Sequence, residues 1–430
     1  MTPAASFASY NESFDQTSIA VEKMFETLPL RIVMLTTVRF HNSKGGTEKV
    51  MIDTANAMSS KGHHVTILYR DKYGDTPGFK INKNIRTINC AKEKVPFKLS
   101  GLIGYLRSLS ISPDRYREKL ANFKLEKLAC LFHKALSESP ADIYITYEPK
   151  LSAMLVKEFG LRGNIITTFQ FNPEHIAKRT DTKYIEKYLG EAGPIQILKN
   201  EFLERTKKLF PSCRDIIIIP NAIEQSPFFA NLNSKTIINL GRISQQKNQL
   251  LLVEAFNLIS SEFRDWKIEI WGEQQVEPNY YLNILDKIKK YNLEQQVLLC
   301  GTTNNVYDKL QKASIFAFPS VYEGFGLALA EAMTNGLPCI GLKDCPAVNT
   351  LIQNNQNGIL CENNKYALAE ALKMLMSNST LRNQLAMNAK TDIEKYSPQN
   401  IWPLWEKIIY TYSNRNFSSS NSTCVSANNL

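Results

Sequence analysis

The chain has 430 residues, 43% of them hydrophobic and 21% charged, which is too long for one compact core and suits two globular domains. Its eight cysteines include no C-x-x-C pair, which argues against a disulfide scaffold or a cysteine-bound metal and for free thiols in a reducing cytoplasm. No apolar run approaches the roughly 20 residues of a membrane-spanning helix, and the first thirty residues carry Ser, Glu and Asp where a secretory signal has its apolar centre.

The net charge of +10 is unevenly spread. Residues 1–220 hold 33 Lys+Arg against 23 Asp+Glu, and residues 221–430 hold 18 of each. The basic first half is expected to meet something anionic or to be a plain solvated surface. Nucleic acid is disfavoured, because the sequence has no aromatic–basic RNA motif and no zinc or helix-turn-helix pattern. An anionic membrane surface remains as the expected partner.

In chain order, residues 1–29 show no sustained period and read as a loose arm. RIVMLTTV (31–38) is a buried strand of parallel type. Gly45-Gly46 ends the loop that follows, Thr47 opens a helix to Lys61, and HVTILY (64–69) is the next strand. This βαβ unit stands where a nucleotide-binding fold begins, with glycines that allow close backbone approach to a phosphate or sugar. IRTINC (85–90) predicts a third strand, and residues 91–114 mix basic and apolar types without a clear period. They read equally as a membrane-touching stretch, an acceptor-binding loop or a core helix with a basic outer face. Residues 115–136 have helical spacing, and ADIYITYE (141–148) and NIITTF (164–169) are strands with a helix between them. The alternation continues to about Lys208, so residues 30–208 form an α/β domain with a mainly parallel sheet.

The second half repeats the pattern, and residues 209–396 form its domain. TIINL (236–240) is a buried strand, Gly241-Arg242 and Lys247 lie in the turn after it, and a helix is predicted over 245–259. That turn is at the carboxyl end of a strand, where open α/β sheets bind ligands, and an Arg with a Lys there can neutralise a diphosphate. WKIEIWGEQ (266–274) and VLLCG (297–301) are further strands; Thr302 and Thr303 follow the latter. The chain then reaches VYEGFGLALAEAMTNGLPCIG (321–341), which reads as a glycine-rich turn, a helix from Leu327, and a strand. Gly324 and Gly326 permit unusual backbone shapes, and the helix N-terminus is a ready anion site. Glu331 stands inside an apolar helix, where a carboxylate is costly without a partner. Glu323 and Glu331 are not read as a glycosidase pair, because their basic and helix-terminal surroundings favour a phosphorylated ligand. Residues 397–412 are a helix with a Trp/Ile face, and the Ser/Asn-rich tail 413–430 reads as disordered.

Several motifs in order carry a resemblance over residues 31–412. GGTEKV (45–50), IPNAI (219–223), the G-R-x4-K spacing of Gly241, Arg242 and Lys247, and the E-x7-E of Glu323 and Glu331 resemble the group 1 type retaining glycosyltransferases. The resemblance implies an α/β fold of two Rossmann-like domains facing across a cleft (GT-B), with a C-terminal helix packing back across both. It implies sugar transfer from a nucleotide sugar, such as a UDP- or GDP-sugar, to a glycan or lipid-linked acceptor in cell-surface polysaccharide or glycolipid synthesis. Retention of anomeric configuration, no essential metal and no separate cofactor are implied as well. The expected place is the cytoplasm, peripheral on the inner face of the membrane.

By the same resemblance, Arg242 and Lys247 would bind the donor diphosphate, Glu323 would sit beside the donor sugar, and Glu331 would bind the ribose. The backbone of Gly324, Phe325, Gly326 and Leu327 would take the phosphates. Gly45 and Gly46 would approach the donor from the first domain, and Thr302 would flank the base. Many relatives place a histidine after the strand at 164–169; here Gln170 stands there, with His175 five residues on. Gln170 would be a sugar contact without the proton chemistry of imidazole, and His175 could take the histidine's place only if the loop bends back. An acidic residue common in relatives is replaced by Thr350. The alternatives are another GT-B enzyme, such as an epimerase or phosphorylase, and a noncatalytic nucleotide-sugar binder.

Overall fold

The computed structural model describes residues 29–413 apart from 38–39, 42–44, 73, 75, 93–112 and 179–181. The arm 1–28, most of the unreadable segment 91–114, and the tail from 414 lie outside the described residues.

The first domain alternates strand and helix: β1 Arg31–Thr36, α1 Gly46–Ser60, β2 His64–Tyr69, β3 Arg86–Asn89, α2 Pro113–Ser137, β4 Ile143–Thr146, α3 Pro149–Phe159, β5 Ile165–Thr168, α4 Pro173–Ala177, α5 Thr182–Ala192, β6 Ile195–Ile197, α6 Leu203–Leu209 and β7 Ile216–Ile218. Its sheet has the order β3-β2-β1-β4-β5-β6-β7, with every neighbouring pair parallel. The central strands are apolar runs buried along nearly their whole length, as helices on both faces require.

The second domain follows the same plan: β8 Thr236–Leu240, α7 Gln249–Asn257, β9 Lys267–Trp271, α8 Pro278–Lys290, β10 Val297–Gly301, α9 Val306–Gln311, β11 Ile315–Phe318, α10 Leu327–Thr334, β12 Cys339–Leu342, α11 Pro346–Leu351, β13 Gly358–Cys361, α12 Lys365–Ser377 and α13 Ser379–Ile393. Its parallel sheet has the order β10-β9-β8-β11-β12-β13. A last helix, α14 Pro398–Thr411, buries Ile401, Trp405, Ile408 and Ile409 against the core of the first domain.

Three details differ from the sequence reading. The boundary placed between residues 208 and 209 is too early, because the DIIII run (215–219) supplies β7, which pairs with β6 in the first sheet. The helix expected over 245–259 is shorter at both ends. Its first residues form a turn in which Asn248 takes the left-handed region at φ 54°, and the helix begins at Gln249. The strand expected over 141–148 is confined to β4, which frees Tyr147 and Glu148 for the loop beyond it.

In each sheet the strand order reverses at one point, and ligand crevices of open α/β sheets form outside the carboxyl ends of the strands there. In the first sheet the reversal lies between β1 and β4, followed by Thr37 and Glu148. In the second it lies between β8 and β11, followed by Gly241-Arg242 and by the loop to Glu323.

Candidate active site

The turn after β8 is built on close backbone contact. Gly241 has φ 155°, and a side chain there would meet the Lys247 stem at 3.2 Å. A Cβ on Gly272, at the end of β9, would lie 2.6 Å from the Gly241 carbonyl carbon. Only two glycines let these strand ends approach so nearly. Gln249 donates to the Arg242 carbonyl at 3.0 Å and so fixes the turn. The Arg242 side chain is exposed and makes no ion pair among the described residues.

This turn is tied to the loop after β11. Val321 N–H donates to the Gln246 carbonyl at 2.9 Å, and the Gln246 side chain donates to the Tyr322 carbonyl at 2.9 Å. The result is a salt bridge of 2.5 Å between Lys247 Nζ and Glu323 Oε1, with the side chains only 14% and 10% exposed. The ammonium also stands 5.0 Å from the centre of the Phe318 ring. A buried lysine held by one carboxylate can turn toward a phosphate when one enters.

Gly326 caps α10 at φ 91°, in the left-handed region that glycine tolerates. The first N–H groups of α10 have no intrahelical partners. The Phe325 side chain turns inward and packs edge-on against Tyr396 at 5.2 Å, so only its backbone remains for a ligand. Glu331 lies one turn into α10 and keeps part of its surface open. Burial pushes its carboxyl up to about 6, Lys49 opposes that shift, and Asp53 adds to it. The carboxylate accepts no hydrogen bond among the described residues.

The first domain meets this surface at several points. Gly46 stands where a Cβ would lie 3.1 Å from Leu327, and Gly45 precedes it as the extended cap of α1. Leu327 packs against the cores of both domains. A Cβ on Gly324 would overlap the Gln170 carbonyl and lie 3.3 Å from the Phe171 Cα. The loop after β5 therefore brings Gln170, not His175, against the glycine-rich turn. Gln170 is 8% exposed, and its side-chain Nε2 has no hydrogen-bond partner. His175 stacks on Tyr322 at 4.4 Å, beside Glu323. Thr302 is exposed at the carboxyl end of β10, the edge strand. Gly301 precedes it at φ 71°, and Thr303 follows.

Other groups in the cleft were not singled out by sequence. Lys49, Asp53, Glu224 and Tyr307 surround Glu331 electrostatically. Glu148 is pinned by the Thr37 N–H at 2.6 Å, the Thr37 hydroxyl at 2.5 Å and Lys150 at 2.7 Å. Lys199, after β6, is 4% exposed and reaches Thr350 of the second domain at 3.3 Å. Burial lowers its pKa, and Glu201 partly offsets this. Lys49 had a visible signal, since it lies inside GGTEKV. The others come together only through the meeting of the two domains. No group of three or more His, Cys, Asp or Glu arranged for a metal occurs among the described residues.

Two doubly wound parallel sheets whose carboxyl edges meet across a cleft, with glycine turns, a lysine–carboxylate pair and a helix N-terminus between them, have the GT-B architecture. Residues 222–392, within the second domain, match the family described as Glycosyl transferases group 1. An uncharacterized glycosyltransferase of Haemophilus influenzae is 25% identical over 371 residues, covering 85% of this chain and 97% of that protein. The N-acetylgalactosamine-N,N'-diacetylbacillosaminyl-diphospho-undecaprenol 4-alpha-N-acetylgalactosaminyltransferase of Campylobacter jejuni is 30% identical over 171 residues, covering 40% of this chain and 45% of that protein. In fold, the chain is similar to sucrose-phosphate synthase from Thermosynechococcus elongatus, with TM-score 0.72, 17% identity, and coverage of 90% of this chain and 99% of that one.

Proposed function

We propose that the protein is a retaining glycosyltransferase that moves a sugar from a nucleoside-diphosphate sugar to a glycan or lipid-linked acceptor, in the synthesis of a cell-surface glycan. The observation that carries this reading is the Lys247–Glu323 pair, held between the Gly241-Arg242 turn and the N-terminus of α10. Arg242, Lys247 and the α10 N–H groups would receive the donor diphosphate. Glu331 would accept hydrogen bonds from the ribose hydroxyls, Thr302 would border the base, and Glu323 with Gln170 would hold the donor sugar. The backbone of Gly324 to Leu327 would contact the phosphates, with Gly45 and Gly46 approaching from the first domain.

The hard event is departure of the nucleoside diphosphate from the anomeric carbon. Arg242, Lys247 and the helix N-terminus would stabilise the charge that grows on the leaving oxygen, as preorganised electrostatics. The acceptor hydroxyl would then attack from the face the diphosphate leaves, passing its proton to a leaving phosphate oxygen, and the configuration is retained. Nothing in this sequence of steps needs a divalent metal, so EDTA should leave turnover unchanged. The Campylobacter jejuni relative carries a lipid diphosphate in its name, which favours a lipid-linked acceptor here. The excess positive charge of the first half, including exposed Arg117 and Lys127 on α2, suits peripheral contact with an anionic membrane from the cytoplasmic side. Equal binding to vesicles with and without anionic lipid would remove that part of the reading.

The test of the site is calorimetric binding of UDP, GDP and ADP, without metal, to the wild type and to Glu331→Ala and Lys247→Ala. One nucleotide should bind the wild type, and both variants should lose it. Binding by the variants at wild-type strength would overturn the assignment. Binding without turnover over a broad acceptor panel would favour a noncatalytic nucleotide-sugar binder.

A further inference from the structure

Glu331 is surrounded from both domains. Gly46 and Leu327 are in contact across the cleft, the latter packed against both cores. Lys49 is three residues beyond Gly46 on α1, and Glu331 is four beyond Leu327 on α10. Residues so spaced share a helix face, so the next turn of each helix places Lys49 and Glu331 opposite one another. Lys49 Nζ is bonded to Asp53 of its own helix at 2.6 Å. Tyr307 of α9 reaches toward the Glu224 carbonyl at 3.4 Å and feels Glu331, Glu224 and Asp53 together, with burial the main reason its proton is held tightly.

The charge balance of this corner is uneven. Asp53, Glu224 and Glu331 converge there, and Lys49 is the cation that acts on Glu331. Burial alone would drive a proton onto Glu331, and Asp53 works in the same direction. A protonated carboxyl loses acceptor capacity that two neighbouring hydroxyls would use. Burial acts on Lys49 as well, but Asp53, Glu331 and Glu224 outweigh it, so the ammonium stays charged.

We infer that Lys49 is a positioning residue that allows the two domains to close over an ionised Glu331. The inference rests on the reading that Glu331 binds the donor ribose. In the open protein, water would solvate Glu331 and no partner would be needed. Closure replaces that water with the first domain, and Lys49 arrives with it. Lys49 thereby links donor recognition on the second domain to docking of the first, without touching the donor.

The experiment is binding of UDP, with GDP and ADP as alternates, to the full chain between pH 5 and 9, measured by calorimetry. The variants are Lys49→Met, Lys49→Arg, Glu331→Gln and the double variant Lys49→Met/Glu331→Gln, each checked for its melting temperature. Lys49→Met should move the acid limb of the affinity profile up by about one pH unit, weakening binding about tenfold near pH 5 but only about twofold near pH 7, the size of shift that loss of a nearby opposite charge gives. Lys49→Arg should restore both. Glu331→Gln should bind weakly with a flat acid limb, and adding Lys49→Met should cost little more. An unmoved acid limb in Lys49→Met, or a full further loss in the double variant, would overturn the inference and point to a separate role for Lys49. If Glu331→Gln binds as the wild type does, or no nucleotide binds, the ribose reading itself fails and the inference falls with it.

Discussion

Replacement of Gly324 by alanine tests whether the closed arrangement is the reactive one. The neighbours nearest to an added Cβ all belong to the first domain: the Gln170 carbonyl oxygen and carbon, the latter at 3.1 Å, and the Phe171 Cα at 3.3 Å. These are backbone atoms, which cannot swing aside as a side-chain tip would. Carbon atoms rest at about 3.5–4.0 Å, so relief of the overlap requires the domains to separate locally by roughly 1 Å. A misplacement of about 1 Å between reacting groups can lower a rate about a hundredfold, or about 2.7 kcal/mol in the barrier. Gly324 does not occupy the left-handed region, so alanine should be accommodated within the second domain itself. The variant should melt within about 2 °C of the wild type and bind nucleoside diphosphate within about threefold, estimates that treat it as an unstrained substitution. Its turnover, followed as nucleotide release from the donor whose base the binding screen selects, should fall about a hundredfold. Wild-type turnover would refute the reasoning, because Gln170 and Gly324 would then not need to meet during catalysis. A large fall in melting temperature would refute it differently, by placing the strain inside the second domain.

Two further outcomes follow from groups already described. Glu331 holds its proton to about pH 6 in the folded protein against 4.5 ordinarily, so the native state binds more protons between these values and stability falls as pH rises through them. The full cost, roughly 2 kcal/mol, is present above pH 6; Glu331→Gln should therefore be more stable than the wild type at pH 7 and equal to it at pH 4, and a pH-independent difference in urea unfolding would count against this. Gln170→Leu removes an amide without a partner from a buried site, which should raise stability by about 1 kcal/mol while lowering turnover; a variant that is less stable and equally active would show Gln170 to be packing alone.

Much of the fold was legible because a parallel sheet covered on both faces writes itself as short apolar runs at regular spacing. TIINL is buried throughout, and such runs leave little choice of partner. The boundary near residue 209 was misread for the same reason. DIIII suits the end of one sheet as well as the start of another, and only its pairing with β6 decides. The glycine turns and the E-x7-E spacing located the nucleotide side of the site because its parts lie close in sequence. The cleft groups were not legible in this way. Glu148 and Thr37 are 111 residues apart, Lys199 and Thr350 are 151 apart, and Lys49 faces a glutamate of the other domain. Their chemistry exists only where two separately folded sheets meet.

That meeting explains why glycine recurs along it. Gly46 and Gly324 lie on opposite domains, and each stands where a side chain would strike the other domain. Gly324 would strike backbone and Gly46 a leucine that both cores hold, so the allowed approach is set by the absence of a Cβ at two places. Polar groups beside these contacts are left incompletely satisfied: the Gln170 amide nitrogen has no partner, and burial and the Lys49 charge act on the Glu331 carboxylate without a hydrogen bond among the described residues. Buried donors and acceptors are ordinarily paired. Contacts set closely by glycine next to polar groups that lack partners are what a site needs when a ligand completes the interface. The glycines fix how near the domains come, and the unpaired groups define what the ligand must offer: hydroxyls for the carboxylate, and an acceptor oxygen for the amide. A sugar nucleotide offers both along one molecule, with a diphosphate between them for Lys247 and the end of α10.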